Sequence, residues 1–177
     1  MRLQRDQLEA VLKFTCEGSY VPFQNALIFD GQSLIASDGL SIVKVTDPLS
    51  EPVGMPFLIP REPLQLALDA TSDREPIWIN DGKIQFSKMT VNYQRMLGEI
   101  PDFKKILLDT PRVEGYPMKF FTIHPKRLTA ALWVCNAFCL SGNIEVSHAA
   151  DSEILFLTSK VRPIFKIEMV LMGNQLW

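Results

Sequence analysis

The sequence predicts an α+β fold of three repeated βαβββ units, with helices on one face of antiparallel sheets. Three observations predict it. Helical patterns begin near residues 5, 61 and 125, a period of roughly 60 residues, too long for common solenoids and suited to a duplicated α+β half-domain. Each helical pattern is followed by a hairpin pattern. Stretches rich in Pro, Ser and Gly at 47–56 and 109–117 separate the three.

The first unit opens with RDQLEAVLKF, where Leu8, Val11, Leu12 and Thr15 share a helical face. NALIFDGQSLIAS follows as two strands joined at Asp30 and Gly31, a pair suited to a type I′ hairpin. SIVKV supplies a further strand. This unit lacks most of its leading strand. In the second unit FLIP is a strand, and 60–70 is a helix in which Pro63 fits only the first turn. Leu64, Ala67 and Leu68 form its buried face. PIWINDGKIQFSK turns at Asp81 and Gly82, and VNYQRML is the next strand, ending at Gly98.

The third unit begins with the strand MKFFTI and enters a helix at His124 and Pro125, with Leu128, Ala131, Leu132 and Cys135 as its buried stripe. NIEVSHAADSEILFLTS is a longer hairpin, and PIFKIEMVLM the closing strand. The predicted organisation is one complete domain at 1–112, with units 1–50 and 51–112, and a half-domain at 113–177.

Composition narrows the function. Of 177 residues, 47% are hydrophobic and 21% charged, which fits a folded chain rather than a disordered one. The apolar runs are too short to cross a bilayer, and the N-terminus carries no secretory pattern, so the expected location is cytoplasmic, with no membrane partner. Cys16, Cys135 and Cys139 make an odd, unframed set that reads as buried apolar thiols rather than disulfides or metal ligands. A net charge of −2 argues against a uniformly basic coat but allows a local basic stripe. No nucleotide-binding, nucleophile-elbow or zinc-protease motif occurs. Asp38 in an Asp-Gly turn and Asp102 after Pro101 read first as turn or capping residues. The chain is expected to be no enzyme and to need no cofactor and no metal.

ASDG at 36–39, FLIPREPLQLALD at 57–69 and LGEIPDF at 97–103 stand in an ordered set. Together they resemble the bacterial DNA sliding clamps, the β subunits of DNA polymerase III. ASDGLSIVKV stands where that family has its ATDGHRL loop and strand, and FLIPREPLQLAL where it has a strand and helix with an I-V-P-R-like start. LGEIPDFKKIL is similar to the G-x-F-P-D-Y/F segment, with Ile100 at the aromatic position. MVLMGNQLW is similar to the V-M-P-M-R-L-like carboxyl end. The family's His and Arg are replaced by Leu40 and Ser41, and its Pro by Gly173. The resemblance reaches from a middle domain to a final half-domain.

The resemblance implies a polymerase processivity factor with the DNA clamp fold, encircling double-stranded DNA without sequence preference and lining the hole with helices. Arg5 and Lys13, then Arg61, then Lys126 and Arg127 are the candidates for phosphate contact; each taken singly also reads as an ordinary solvated charge. It further implies a hydrophobic cleft that takes linear peptides of DNA polymerase and clamp loader. Ser37, Gly39, Leu40, Ser41 and Ile42 would supply one wall, with Leu108 and Val113 after the PDF segment and Val170 and Met172 from the last strand. Ile42, Leu108 and Val170 equally fit a plain core role. A family ring holds twelve such units and this sequence three, so a homotetramer closed by head-to-tail contacts is expected. The alternative is an interaction protein that keeps the clamp fold without the ring and acts as decoy or regulator of clamp partners.

Overall fold

A computed structural model describes residues 1–52, 54–72, 75–103, 105–109, 112–113, 123–138, 144–149, 154–161 and 165–172. The strands are β1 (Arg2–Gln4), β2 (Ala26–Phe29), β3 (Ser33–Ser37), β4 (Ser41–Thr46), β5 (Phe57–Pro60), β6 (Pro76–Asn80), β7 (Lys83–Phe86), β8 (Met89–Asn92), β9 (Arg112–Val113), β10 (Glu145–Ala149), β11 (Ile154–Val161) and β12 (Phe165–Met172). The helices are α1 (Arg5–Leu12), α2 (Arg61–Ala70) and α3 (Pro125–Ala137).

The element order βαβββ occurs twice before β9, as β1-α1-β2-β3-β4 and β5-α2-β6-β7-β8, and the leading strands are exchanged. β1 pairs with β6, and β5 with β2. One sheet runs β1-β6-β7-β8 and the other β5-β2-β3-β4-β12-β11-β10-β9, all antiparallel. The larger sheet is sewn together where β4 meets β12 over six residue pairs, from Lys166↔Thr46 to Leu171↔Ser41.

All three helices share one core with both sheets. Leu8 and Val11 of α1, Leu64 and Ala67 of α2, and Ala131 and Val134 of α3 join Val43, Ile84 and Met169 there. Period-two alternation sends the other side chains of the large sheet to its opposite face, where Ile28, Ile42, Phe156 and Val170 form a second cluster under Phe103 and Leu107. The strand β2 is buried at all four positions because both its faces are covered.

Helix starts and the face of α2 match the sequence expectation; other features differ, among them Cys16, expected to be buried and found exposed. In α3 the buried line is Ala130, Ala131 and Val134, continuing to Phe138, whereas Leu128 is 47% and Leu132 55% exposed. Small alanines let α3 approach α1 closely, and that contact, rather than the largest apolar side chains, sets the helix's rotation. Thr15 lies beyond α1, its hydroxyl donating to the Leu12 carbonyl at 2.7 Å. At Asp30-Gly31 and Asp81-Gly82 only the glycines have positive φ, so neither turn is type I′; Asp30 instead accepts from the Gln32 N–H through Oδ1 at 2.9 Å. The strand expected at 91–97 is β8, which starts at Met89 and stops at Asn92. Past it Tyr93 donates to the Asn80 carbonyl at 2.7 Å and Met96 bridges to Leu58, which draws the chain off the sheet edge. The expected strand MKFFTI lies, but for Ile123, outside the described residues.

Candidate functional site

The loop after β3 is held by its own side chains. Asp38 Oδ1 accepts from the backbone N–H of Leu40 at 2.9 Å and of Ser41 at 2.7 Å, and from the Ser41 hydroxyl at 2.8 Å. Ser37 Oγ accepts from the Gly39 N–H at 3.1 Å. Asp38 is thereby a turn-forming residue, its carboxylate satisfied within its own loop. Gly39 sits at φ +89, a left-handed conformation that favours glycine, while the nearest obstacle to a Cβ is the movable end of the Gln24 side chain.

This loop delivers Leu40 to the end of the β4–β12 seam. The Met172 N–H donates to the Leu40 carbonyl at 3.0 Å, which fixes the two apolar side chains beside one another across the strand boundary. Leu40 is 48% exposed and Met172 half-buried. Behind them Ile42 lies opposite Val170, and both are buried, as are Ser37 and Ser41. Leu40 and Met172 stand at the open end of the outer face, with Ile42, Val170 and Ser37 behind them, whereas Ser41 lies opposite Leu171 and faces the helix side. Leu108 belongs to the helical turn Lys105–Asp109, whose neighbour Leu107 packs in the same outer cluster as Ile42 and Val170; the side chains of Leu108 and Val113 lie outside the described residues. The backbone of Val113 lies in β9. It pairs with His148 at the far edge of the large sheet, three strands from β12, which at the usual strand spacing is roughly 14 Å away.

A neighbouring groove of about 490 Å³ opens beneath residues 97–103, floored by Ile28 and Ile35 and walled by Ile100 and Phe103, with Lys44 at its side. Gly98 makes that docking possible, since a Cβ there would lie 2.6 Å from the Pro22 Cβ; Phe103 meets the Phe23 ring edge-on at 6.0 Å between centroids. These residues were absent from the sequence-derived site. The signal for them was ALIF, a continuous apolar run that implies cover on both faces of β2.

Four of the five candidate cations gather where the helices meet. Arg5 and Lys13 of the first repeat flank Glu9 at 3.5 and 3.7 Å, and Arg61 shares their hollow. Arg61 reaches from α2 to the Leu12 carbonyl at 3.2 Å and to the Thr15 hydroxyl, with Glu17 at 3.7 Å. Lys13, Arg61 and Lys126 border a second hollow in which Trp133 is the aromatic wall. Lys126 is exposed, while Arg127 is half-buried and turns to the sheet, donating to the Met172 carbonyl at 3.0 Å. Arg127 thus braces the strand that carries Met172 and stands apart from the other four.

Electrostatics elsewhere are local. Arg95 donates to Asp81 and holds its carboxyl below the usual carboxylate range, and burial pushes the Cys135 thiol up. Among the described residues no group of three His, Cys, Asp or Glu side chains could hold a metal ion, and no helix is long and apolar enough to cross a membrane.

No protein-family model and no curated protein sequence matches the chain. Solved structures do. The DNA polymerase III β subunit of Thermotoga maritima superposes with a TM-score of 0.64 at 12% identity, covering 99% of this chain and 64% of that one. The Borrelia burgdorferi DNA polymerase III β subunit gives 0.62 at 14% identity, covering 100% and 64%. The PCNA2–PCNA3 complex of Sulfolobus tokodaii gives 0.57 at 8% identity, covering 98% of each chain. This chain spans about 64% of the length of those two bacterial clamps. Antiparallel sheets backed by one helix per repeat, together with these superpositions, give the chain the α+β DNA clamp fold.

Proposed function

We propose that this chain is a subunit of a DNA sliding clamp, a processivity factor that encircles duplex DNA and tethers partners by short linear peptides. The observation that carries the reading is the placement of α1, α2 and α3 in one core layer, which sets Arg5, Lys13, Arg61 and Lys126 around adjoining hollows. Cations on a helical surface supply sequence-independent, salt-sensitive attraction to phosphates. The apolar rim of Leu40 and Met172 lies at the strand seam, where a peptide with Leu or Phe anchors finds a flexible thioether and a rigid loop. In this reading 1–112 is a complete clamp domain and 113–177 a half-domain, and four chains supply the twelve repeats of a ring. The exposed Leu128 and Leu132 on α3 support assembly, since they form an apolar strip at helical spacing.

The test is retention on DNA. Loaded on a nicked circular plasmid, the protein is expected to stay through gel filtration at moderate salt and to leave when the plasmid is linearised. Light scattering is expected to give four times the chain mass. Peptide binding without retention on circular DNA would replace the ring reading with the decoy or regulator reading.

A further inference from the structure

The seam inside this chain follows a rule that one strand leaves unfulfilled. β4 is the last strand of the first repeat and β12 the last strand of the chain's final hairpin, and they join antiparallel. β8 is the last strand of the second repeat. Among the described residues it pairs with β7 on one side and with no strand on the other.

We infer that β8 is a docking edge for β8 of a second copy, the two strands joining antiparallel about a two-fold axis at Val91. The backbone supports this register. Tyr93 N–H donates to the Gly82 carbonyl at 3.0 Å, just past the Lys83↔Asn92 pair. Alternation along an antiparallel ladder then turns the N–H and C=O of Thr90 and Asn92 outward. Self-pairing sets Thr90 against the partner copy's Asn92 as two hydrogen-bonded pairs, with Val91 against its own copy between them.

The side chains agree. Met89 and Val91 lie opposite Phe86 and Ile84, so they share the helix-side face of the sheet. Met89 is 52% exposed, and Val91 and Tyr93 are half-buried. The two-fold register lays Met89 against the second copy's Tyr93 and Val91 against Val91, a continuous apolar row. No charged residue occurs at 89–94, so self-pairing brings no like charges together. The internal seam uses a different device, Lys44 opposite Glu168. None of the usual protections of an edge is present within β8, neither Lys nor Pro nor a bulge. The joined sheet would have eight strands, β1-β6-β7-β8 twice over, equal in number to the sheet already built around β4 and β12.

This inference deepens the clamp reading and rests on it for its biological sense, but it replaces a head-to-tail contact at this edge with an isologous one. Three variants of the full chain test it in the absence of DNA. Thr90→Pro removes an outward N–H, which an edge strand tolerates, and is expected to halve the mass by light scattering while far-UV circular dichroism is unchanged. Val91→Lys opposes like charges on the axis and is expected to do the same should the proline variant not fold. Val91→Cys places two thiols at a close, non-hydrogen-bonded pair, within disulfide reach. It is expected to give a reducible dimer under mild oxidation that the unmodified chain does not give. A monomeric unmodified protein at micromolar concentration, wild-type mass in both folded variants, or no added cross-linking in Val91→Cys each overturns the inference. Wild-type mass with retention on circular DNA would spare the ring and sink this edge; halved mass with no retention by any form would spare the edge and sink the ring.

Discussion

The Lys13 ammonium rests 4.3 Å from the centre of the Trp133 ring, so a charge of the first helix clasps an aromatic of the third. Both side chains are partly exposed, and a cation–π contact in that setting contributes about 0.5–1 kcal/mol. A double-mutant cycle with Lys13→Gln and Trp133→Leu, read by urea unfolding, is expected to return a coupling of that size. A coupling near zero would mean that Lys13 points to solvent and is as free for phosphate as Lys126.

Charge reversal separates the cations further. From sequence, Arg5, Arg61, Lys126 and Arg127 are all expected to accept Glu without harm to folding. The half-buried guanidiniums of Arg61 and Arg127 donate to the Leu12 and Met172 carbonyls, and losing such a partner costs about 1–3 kcal/mol. Arg61→Glu and Arg127→Glu are therefore expected to lower the urea midpoint. Lys126→Glu, at an exposed position, is expected to leave it within about 0.5 kcal/mol. On DNA, Lys126→Gln should reduce the slope of log affinity against log salt by about 0.9 if it meets one phosphate.

Alkaline stability reports on Tyr93. Burial is the main cause that pushes its hydroxyl from 10.0 up to about 12, and that hydroxyl donates to the Asn80 carbonyl. The unfolded chain loses this proton at lower pH than the folded one. The contribution is therefore whole below pH 10 and disappears as pH rises from 10 towards about 12. Tyr93→Phe is expected to cost about 1 kcal/mol at neutral pH and to flatten the loss of stability across that alkaline window. An unchanged alkaline limb would assign the loss to other groups.

Local patterns carried most of the fold. Helix starts were legible because Pro63 and Pro125 tolerate only first turns, and strands because β3, β4, β6 and β7 lie between turn residues. The face of α3 was not legible, because Leu128 and Leu132 outweigh Ala130 and Ala131 in any count of hydrophobicity while close approach to α1 favours the alanines. The exposure of Leu40 was legible, since a leucine at the tip of an Asp-Gly loop has little to bury it. The place of Val113 was not legible, because it depends on which strand β9 pairs with, a long-range choice that local pattern does not carry. The groove under 97–103 depends likewise on Gly98 meeting Pro22, residues far apart in sequence.

The rim and floor of the candidate peptide cleft make opposite demands on stability and binding. Leu40 is held through its backbone, with the Met172 N–H donating to its carbonyl, so Leu40→Ser keeps that bond and exposes nothing new. Met172→Ala likewise keeps its N–H and its carbonyl, which accepts from Arg127. The double variant is expected to unfold within about 1 kcal/mol of the unmodified chain while losing detectable binding of a Q-x-x-L-F peptide in fluorescence anisotropy. Ile42→Ala is the converse case. Ile42 is buried opposite Val170, and its truncation is expected to cost about 2–5 kcal/mol through lost burial and a cavity. A peptide that binds the Leu40–Met172 double variant as well as the unmodified chain would move the site away from this rim. The groove beneath Phe103 would then be the place to look, and Ile35→Glu, which puts a carboxylate on its floor, would separate the two.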